Sequence, residues 1–401
     1  MVQSLFAKKM LCICGFLIFG AGNSILSKIL YSQTASNFYG IETTFEKPWF
    51  QNWAMFLGMM TVFVPESFRK LYVLRKKKSE RIDEYESEPL IAKEKKRDWT
   101  WLKVFVPSIC DTVATVMMNA ALVVINVSIW QMLRGSIIIF TAILTIFYRK
   151  RKLYPQQWLG MCLVFTALII LGATALLSGG AKGVTFGRLI VGVILVVLAQ
   201  AIQAFQTIVE EQLLHDSTTP PMAIVAWEGF WGFCTCTFLC MPIVYFVRTT
   251  PGDGLQEDIA DTFVMMANSP VIIVFALAFV CSILLFNIFG MFITEVTSAL
   301  TRNVLEPMRT MLVWITSIIL YYASKEKDRE TSGGEPWSNW SYMQLGGFVV
   351  MTVGVMTYNF VWKFPCWRSP QDDEKAKAAE EASEIEASDG NGLEYSKDLQ
   401  E

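Results

Sequence analysis

Apolar stretches long enough to cross roughly 30 Å of hydrocarbon recur along the chain, separated by polar connections. The pattern predicts membrane spans over Met10 to Tyr31, Trp49 to Val64, Leu102 to Ile125, Ser128 to Tyr148, Gln157 to Leu177, Leu189 to Glu210, Met222 to Val247, Pro270 to Phe292, Ala299 to Tyr322 and Ser341 to Trp362, ten in all. The expected fold class is an all-α polytopic membrane protein. Several spans nevertheless carry polar residues at helical spacing. In "TRNVLEPMRTMLVW", Arg302, Glu306 and Arg309 fall within about two turns of helix, with Pro307 among them. A fixed charge at the centre of a membrane helix costs roughly 2.5–3.5 kcal/mol on insertion scales, so these residues should face protein or water and not lipid.

At about 100° per residue, Glu295, Ser298, Arg302, Glu306 and Arg309 project into one sector of the ninth span. Glu306 stands four residues after Arg302 and three before Arg309, so its carboxylate is expected to neutralise part of both guanidinium groups. Pro307 cannot donate to the carbonyl of Asn303, which leaves an acceptor of the kind found where a helix lines a cavity. The sixth span repeats the device with Gln200, Gln203, Thr207 and Glu210. Gln131 and Arg134 lie one turn apart in the fourth, and Asn23, Ser27 and Lys28 lie in the first. Asp111 and Asn119, Glu228 and Asn287 come from the third, seventh and eighth.

Two readings fit such a set: ion pairs that hold helices together, or the wall of a wet cavity. Interhelical polar contacts in membranes average well under about 1.5 kcal/mol, a poor reason to keep so many ionisable groups there, so the cavity is expected. The candidate solute-binding residues are Lys28, Asn23, Asp111, Gln131, Arg134, Gln203, Glu210, Glu228, Arg302, Glu306 and Arg309. Arg134, Arg309 and Lys28 are suited to anionic groups, and Glu210, Glu228 and Glu306 to protons or cations. Gly58, Gly160, Gly172, Gly346 and Gly354 are expected to permit close helix packing.

Composition agrees with the pattern: 53% of the 401 residues are hydrophobic and only 17% charged. A formal net charge of −2, with the basic residues clustered and not spread over a face, gives no reason to expect a nucleic-acid partner. The chain has nine Cys, most of them inside apolar runs, so a disulfide scaffold is not expected. Cys234, Cys236 and Cys240 are read as apolar filler and no metal site is expected; Cys366 is a candidate for palmitoylation. The N-terminal run continues past Asn23 to Tyr31, which favours an uncleaved first span over a secretory signal.

Lys and Arg collect between the second and third spans, within the basic loop 65–100, and again at Arg149, Lys150, Arg151 and Lys152. Both segments are therefore expected in the cytosol, with both termini beside them. The alternate connections hold few basic residues. Asn339 opens an Asn-Trp-Ser glycosylation sequon in a connection this orientation makes lumenal. Glu86, Leu90 and Ile91 match an acidic dileucine signal, which implies lysosomal or vacuolar sorting, with the Golgi as alternative. The segment 366–401 has the composition of a disordered acidic tail.

Two parts of the chain resemble each other. "QMLRGSIIIFTAILTIFY" aligns with "EPMRTMLVWITSIILYYA", so that Gln131 falls on Glu306 and Arg134 on Arg309, and "QWLGMCLVFTALIILG" aligns with "MQLGGFVVMTVGVMTY". Copies five spans apart must run in opposite directions, giving a 5+5 inverted repeat of residues 1–178 and 187–365, which is the architecture of alternating access. With "QQWLGMCLVFTALIILG", "EEQLLHDSTTPPMAIVAWEGFWGF" and "TRNVLEPMRTMLVW", the chain over about residues 8–365 resembles the drug/metabolite transporter superfamily. More narrowly it is similar to the nucleotide-sugar-transporter-like F-type solute carriers, relatives of the chloroquine-resistance transporters. The resemblance implies a central cavity lined by spans one to four and six to nine, with five and ten peripheral. Two features depart from it: the connection 248–269 has no Cys, and the ninth span lacks a Gly-Ala-Leu-Asn-Lys signature.

No phosphate-binding loop appears, and His215, the single His, lies in a polar connection beside Asp216. Nothing resembles a nucleophile with its base, so neither ATP-driven pumping nor an enzyme is expected, and no cofactor. The expected function is secondary-active transport of small polar organic solutes, either of the drug/metabolite or nucleotide-sugar kind or of amino acids, short peptides or basic drugs coupled to protons. A non-transporting scaffold is the alternative. The expected partners are a small-molecule solute, membrane lipid, protons and a second copy of the chain in a homodimer.

Overall fold

The computed structural model describes residues 2–69, 71, 72, 75, 99–124, 130, 133–175, 186–216, 219–246, 257–323, 336–362 and 367. Twelve of the helices among them carry the bundle. They are α1 (Val2–Ser32), α2 (Pro48–Met60), α3 (Phe105–Val124), α4 (Ile137–Phe147), α5 (Pro155–Ala175), α6 (Phe186–Asp216) and α7 (Pro221–Thr235). After α7 come α8 (Met241–Phe246), α9 (Ile259–Asn268), α10 (Pro270–Val296), α11 (Ala299–Ala323) and α12 (Asn339–Tyr358). A two-stranded antiparallel hairpin, β1 (Thr34–Ser36) with β2 (Glu42–Thr44), joins α1 to α2. Among the described residues, seven helical segments are long and apolar enough to cross a membrane, and the chain is an all-α polytopic membrane protein. Gln131, Glu86, Leu90, Ile91, Cys366 and most of both the 65–100 loop and the 366–401 tail lie outside the described residues.

Four helices, α2, α5, α7 and α10, open on a proline, whose fixed φ suits the first helical position and whose missing N–H costs nothing there. The structure corrects several expected boundaries. The fourth span is broken: a turn at Gly135 and Ser136 precedes α4, which starts only at Ile137. A Cβ on Gly135 would sit 2.0 Å from the end of the Leu168 side chain on α5, so a larger residue there would require Leu168 to move. The seventh span, by contrast, stands as one helical segment, Pro221–Phe246, with a π-helical turn over Cys236–Cys240 between α7 and α8. Glu295 belongs to the last turn of α10, where it is exposed, and not to the stripe on α11.

The helices pack in pairs: α1 along α10, α3 along α6, α2 along α7 and α5 along α12. The largest apolar core joins Phe16, Ile138, Val164, Phe286, Val304 and Met351, with Phe16 stacked on Phe286 at 4.6 Å between ring centroids. Large apolar residues such as Val274 and Leu277 on α10, and Ile194 and Leu198 on α6, are exposed, as a lipid-facing surface requires. At α5 against α12, Gly160 and Gly354 bring the two backbones close together, as expected for small residues in a membrane interface. Gly346, by contrast, has nothing near its missing Cβ.

At the end of the bundle where α1 meets α2, the hairpin and α9 form a cap. Asn37 Oδ1 accepts from the backbone N–H groups of Tyr39 and Ile41, and Gly40, at φ 76°, closes the turn in a conformation that favours glycine. Lys47 Nζ pairs with Asp261 Oδ2 at 2.7 Å, and Asp261 Oδ1 accepts from the N–H of Phe38. Glu257, 4% exposed, accepts from the backbone N–H groups of Trp49 and Phe50 at 2.9 and 3.0 Å, and so caps α2 from more than two hundred residues away in sequence. Burial pushes the Glu257 carboxyl from 4.5 up to about 7, against the opposing pull of those N–H groups and of Lys47. For Asp261, burial alone would raise the carboxyl, but the Lys47 ammonium and the Phe38 N–H outweigh it and hold it below the usual value.

Two measurements on detergent-solubilised protein check this packing. Gly354→Val should lower stability by about 1–3 kcal/mol, read as a reduced thermal midpoint, because its Cβ meets Val164 N and Gly160 O; Gly346→Ala should stay within about 0.5 kcal/mol. For Glu257, the folded state keeps a proton that the unfolded chain releases between pH 4.5 and about 7. Its stabilising contribution is therefore complete below 4.5 and is lost as the pH rises through 7, up to about 3 kcal/mol. The thermal midpoint of Glu257→Gln should depend less on pH across that window than the wild type's, and an unchanged slope would contradict the assignment.

Candidate functional site

Between the two ends of the bundle lies a cavity of about 580 Å³. Every candidate within the described residues lines it: Asn23 and Lys28 from α1, Asp111 from α3, Arg134 just before α4, Gln203 and Glu210 from α6, Glu228 from α7, and Arg302, Glu306 and Arg309 from α11. Residues of α2 and α10 complete the wall, and none of the lining residues belongs to α5 or α12. The expected division into lining and peripheral helices therefore matches the described residues.

The charges form two groups. In one, Arg302 Nη1 pairs with Glu210 Oε2 at 2.6 Å, and Gln206 Nε2 donates to both Glu210 Oε1, at 2.9 Å, and Glu228 Oε1, at 3.1 Å. Asp111 lies on the same cavity wall. In the other, Glu306 Oε1 receives both Arg134 Nη2 at 3.0 Å and Arg309 Nη2 at 3.1 Å. The faces of Trp130 and Phe286 lie under these two guanidinium groups, 4.9 Å from Arg134 and 5.3 Å from Arg309. Seven residues separate Arg302 from Arg309 on α11, or roughly 10 Å along its axis. The first group holds three carboxyls and one guanidinium, the second two guanidinium groups and one carboxyl, so the cavity has a formally acidic end and a formally basic end.

Exposure separates the two carboxylates further: the Glu210 side chain is 0% exposed, whereas Glu306 is 24% and its partner Arg134 25% exposed toward the cavity. The structure also changes one expected pairing. Arg302 does not share Glu306 with Arg309; its partner is Glu210 on another helix, while Arg134 takes the second place on Glu306. On the helix spacing alone, Arg302 and Glu306 looked like a pair, and only the crossing of α6 decides otherwise.

Several lining residues escaped the sequence reading. Gln206 stands one turn before Glu210, but it sits at the edge of the sector through Gln203 and Thr207. Asn303 Nδ2 donates to Thr141 Oγ1 at 2.8 Å and Thr207 Oγ1 at 3.0 Å, joining α11 to α4 and α6. Gln51 and Asn52 on α2, each less than a tenth exposed, also reach the wall, and Ser27 Oγ donates to Gln51 Oε1 at 2.8 Å. Gln200, expected among the polar sector of α6, contacts Met118 Sδ and lines a smaller crevice beside the cavity. Asn339 is exposed at the first turn of α12, and Ser341 is buried in the capping box with Ser338.

Comparison with known proteins gives the same picture from sequence. Residues 89–173 match the EamA-like transporter family. Solute carrier family 35 member F6 of Mus musculus is 30% identical over 321 residues, covering 79% of each chain, and that of Rattus norvegicus is 29% identical over 342 residues, covering 83% of this chain and 84% of the relative. An uncharacterized protein of Schizosaccharomyces pombe is 28% identical over 310 residues, covering 77% of this chain and 88% of its own length. A solved crystal structure with 11% identity superposes with a TM-score of 0.54 over 88% of this chain and 97% of that one, which shows the fold alone. A helical membrane bundle around a charged internal cavity is the frame of a solute carrier. This chain belongs to the F-type solute carrier 35 family and is a membrane solute transporter, not an enzyme.

The Arg302–Glu210 pair gives a direct test. Removing the carboxylate in Glu210→Ala leaves the Arg302 guanidinium buried without its partner and should cost about 3–5 kcal/mol, whereas replacing both residues by Met should recover most of the loss. Thermal unfolding of the purified single and double variants measures this, and a single variant as stable as the wild type would contradict the pairing.

Proposed function

We propose that the chain carries small polar organic solutes bearing both charges, by alternating access of two inverted halves, residues 8–178 and 187–365. The observation that carries the reading is the bipolar cavity. Its size falls within the roughly 300–1,000 Å³ of small-molecule sites, and its acidic and basic ends stand about two helical turns apart. A solute with an ammonium and a carboxylate, such as an amino acid or short peptide, matches Asp111 and Glu228 at one end and Arg134 and Arg309 at the other. Lys28 and Gln203 line the same wall. Five buried side-chain polar atoms have no hydrogen-bond partner among the described residues, and four of them belong to lining residues: Asn23, Gln51, Asn52 and Gln206. Such clustering supports a site that a polar solute completes.

The helix packing supports the inverted repeat. Exchanging α1 with α6, α2 with α7, α3 with α10, α4 with α11 and α5 with α12 turns the most extensive contacts into others that are also present: α3 with α6 becomes α10 with α1, and α4 with α6 becomes α11 with α1. Arg134 and Arg309, equivalent in the aligned repeats, meet on the same carboxylate of Glu306. In this reading α2, α4 and α12 also cross the membrane, which makes ten spans, and the two halves rock around the shared pair. Protonation of Glu228 or Asp111 would couple the cycle to a proton gradient. The distribution of Lys and Arg supports cytosolic termini, and the Glu86, Leu90 and Ile91 motif supports a lysosomal or vacuolar membrane.

Uptake of labelled amino acids and dipeptides into proteoliposomes, with and without a pH gradient, tests the proposal. Zwitterionic solutes should be taken up at least about tenfold faster than analogues lacking either charge, and Arg309→Ala should reduce uptake by a similar factor. Unchanged uptake in Arg309→Ala, or equal uptake of the singly charged analogues, would overturn it.

A further inference from the structure

A second pocket, of about 210 Å³, lies away from the central cavity, between α2, the π-helical turn and α9. Three aromatic rings wall it. Trp53 lies 6.0 Å from Phe50 in a stacked arrangement, and Phe263 meets both edge-on at 6.2 and 6.3 Å. Met241 and Ile259 add apolar surface. The indole of Trp53 is fixed by its Nε1 donating to Thr237 Oγ1 at 3.0 Å, and Thr237 sits in the π-helical turn, an irregularity often found at functional sites.

Within this apolar lining is one charged side chain, Glu257. Its two oxygens each accept one backbone N–H of α2, the Thr262 hydroxyl in the same lining is a further hydrogen-bond partner, and no ion pair to it occurs among the described residues, so acceptor capacity remains on the carboxylate. The nearby Lys47 ammonium is bound to Asp261. A buried carboxylate beside a set of aromatic faces is the combination that recognises an organic cation: the rings attract the charge through their quadrupoles and the carboxylate neutralises it. We propose that this pocket is a ligand site, distinct from the central cavity, for an organic ammonium group on a short apolar body. The volume is below that of drug-sized sites, roughly 300–1,000 Å³, so the apolar body is small. The inference does not depend on the transport reading, since none of the three aromatic residues, nor Glu257, lines the central cavity.

Two sources could supply the group: a free amine, or the choline headgroup of a membrane lipid. Binding also requires Glu257 to be ionised, so it should weaken as the pH falls below the range in which this carboxyl titrates. The charged and titratable groups around Glu257 are Lys47 before α2, Asp258 and Asp261 at α9, Tyr31 at the end of α1 and Cys236 in the π-helical turn.

Equilibrium dialysis of labelled phenethylammonium against the purified full chain in maltoside micelles tests the proposal. At about pH 8 binding should saturate, 2-phenylethanol, the neutral isostere, should compete about tenfold more weakly, and Glu257→Gln and Trp53→Leu should each weaken binding by about tenfold. The comparison of the two ligands holds even if a variant folds poorly. Displacement of the amine by dioctanoyl phosphatidylcholine, but not by the phosphatidylglycerol, supports the site with a lipid headgroup as its occupant; failure of both to displace it supports the site with a free amine. Non-saturable uptake, equal competition by 2-phenylethanol, or binding lost in Asp111→Asn with Glu228→Gln yet intact in Glu257→Gln would overturn it.

Discussion

The structure depends on one constraint: an ion cannot face hydrocarbon, so every charge inside the bundle must meet either an opposite charge or water. The pairs Arg302–Glu210 and Arg134–Glu306–Arg309 satisfy it in different ways. In the first the Glu210 carboxylate is buried, with Gln206 joining it to Glu228, and the pair ties α11 to α6 and α7. The second opens onto the cavity, and its two guanidinium groups share one carboxylate. A helix bundle built only for stability would bury apolar residues at these positions, because replacing a buried ion pair by hydrophobic residues is often neutral or stabilising. The charges therefore point to the cavity's contents more than to the scaffold.

That arrangement joins the family relationship to chemistry. A solute carrier needs a binding place reachable in turn from either side, and a wall made from eight helices of both halves of the chain can supply one. The α5 and α12 pair stays outside the wall and instead makes a glycine-mediated contact close enough to act as a rigid seam. The cap of hairpin and α9 is tied to α2 through Glu257 and to the start of α2 through Lys47 and Asp261. Movement at that end of the bundle would therefore carry α2, and with it Gln51 and Asn52 on the cavity wall.

Much of this was legible in the sequence. The apolar runs located the helices, because span length and hydropathy are local properties. The polar sectors found the cavity wall as well, since a residue such as Glu210 or Arg309 has no place on a lipid face whatever its partner. Local spacing failed where the answer depends on a neighbour in space. It could not show that the chain turns at Gly135 and Ser136 where it passes Leu168 of α5, and so it ran the fourth span straight through a turn. It assigned Arg302 to Glu306, four residues on, when Glu210 from α6 lies closer. It placed Glu295 in the stripe because the angle agrees, although the chain leaves the helix at Val296. Glu257, in a connection with no helical period, gave no signal that it caps a helix two hundred residues earlier.

The central claim is that the intramembrane charges border a water-filled chamber. Single cysteines at Asn119 and Asn287 on the cavity wall, and at Leu277 on the lipid-facing side of α10, in a background from which the native cysteines have been removed, test it most directly. A membrane-impermeant thiol reagent should label the first two and leave Leu277→Cys unmodified. Asn119→Cys and Asn287→Cys that stay unlabelled from both sides of the membrane, in protein that still folds, would show a dry interior and contradict the account.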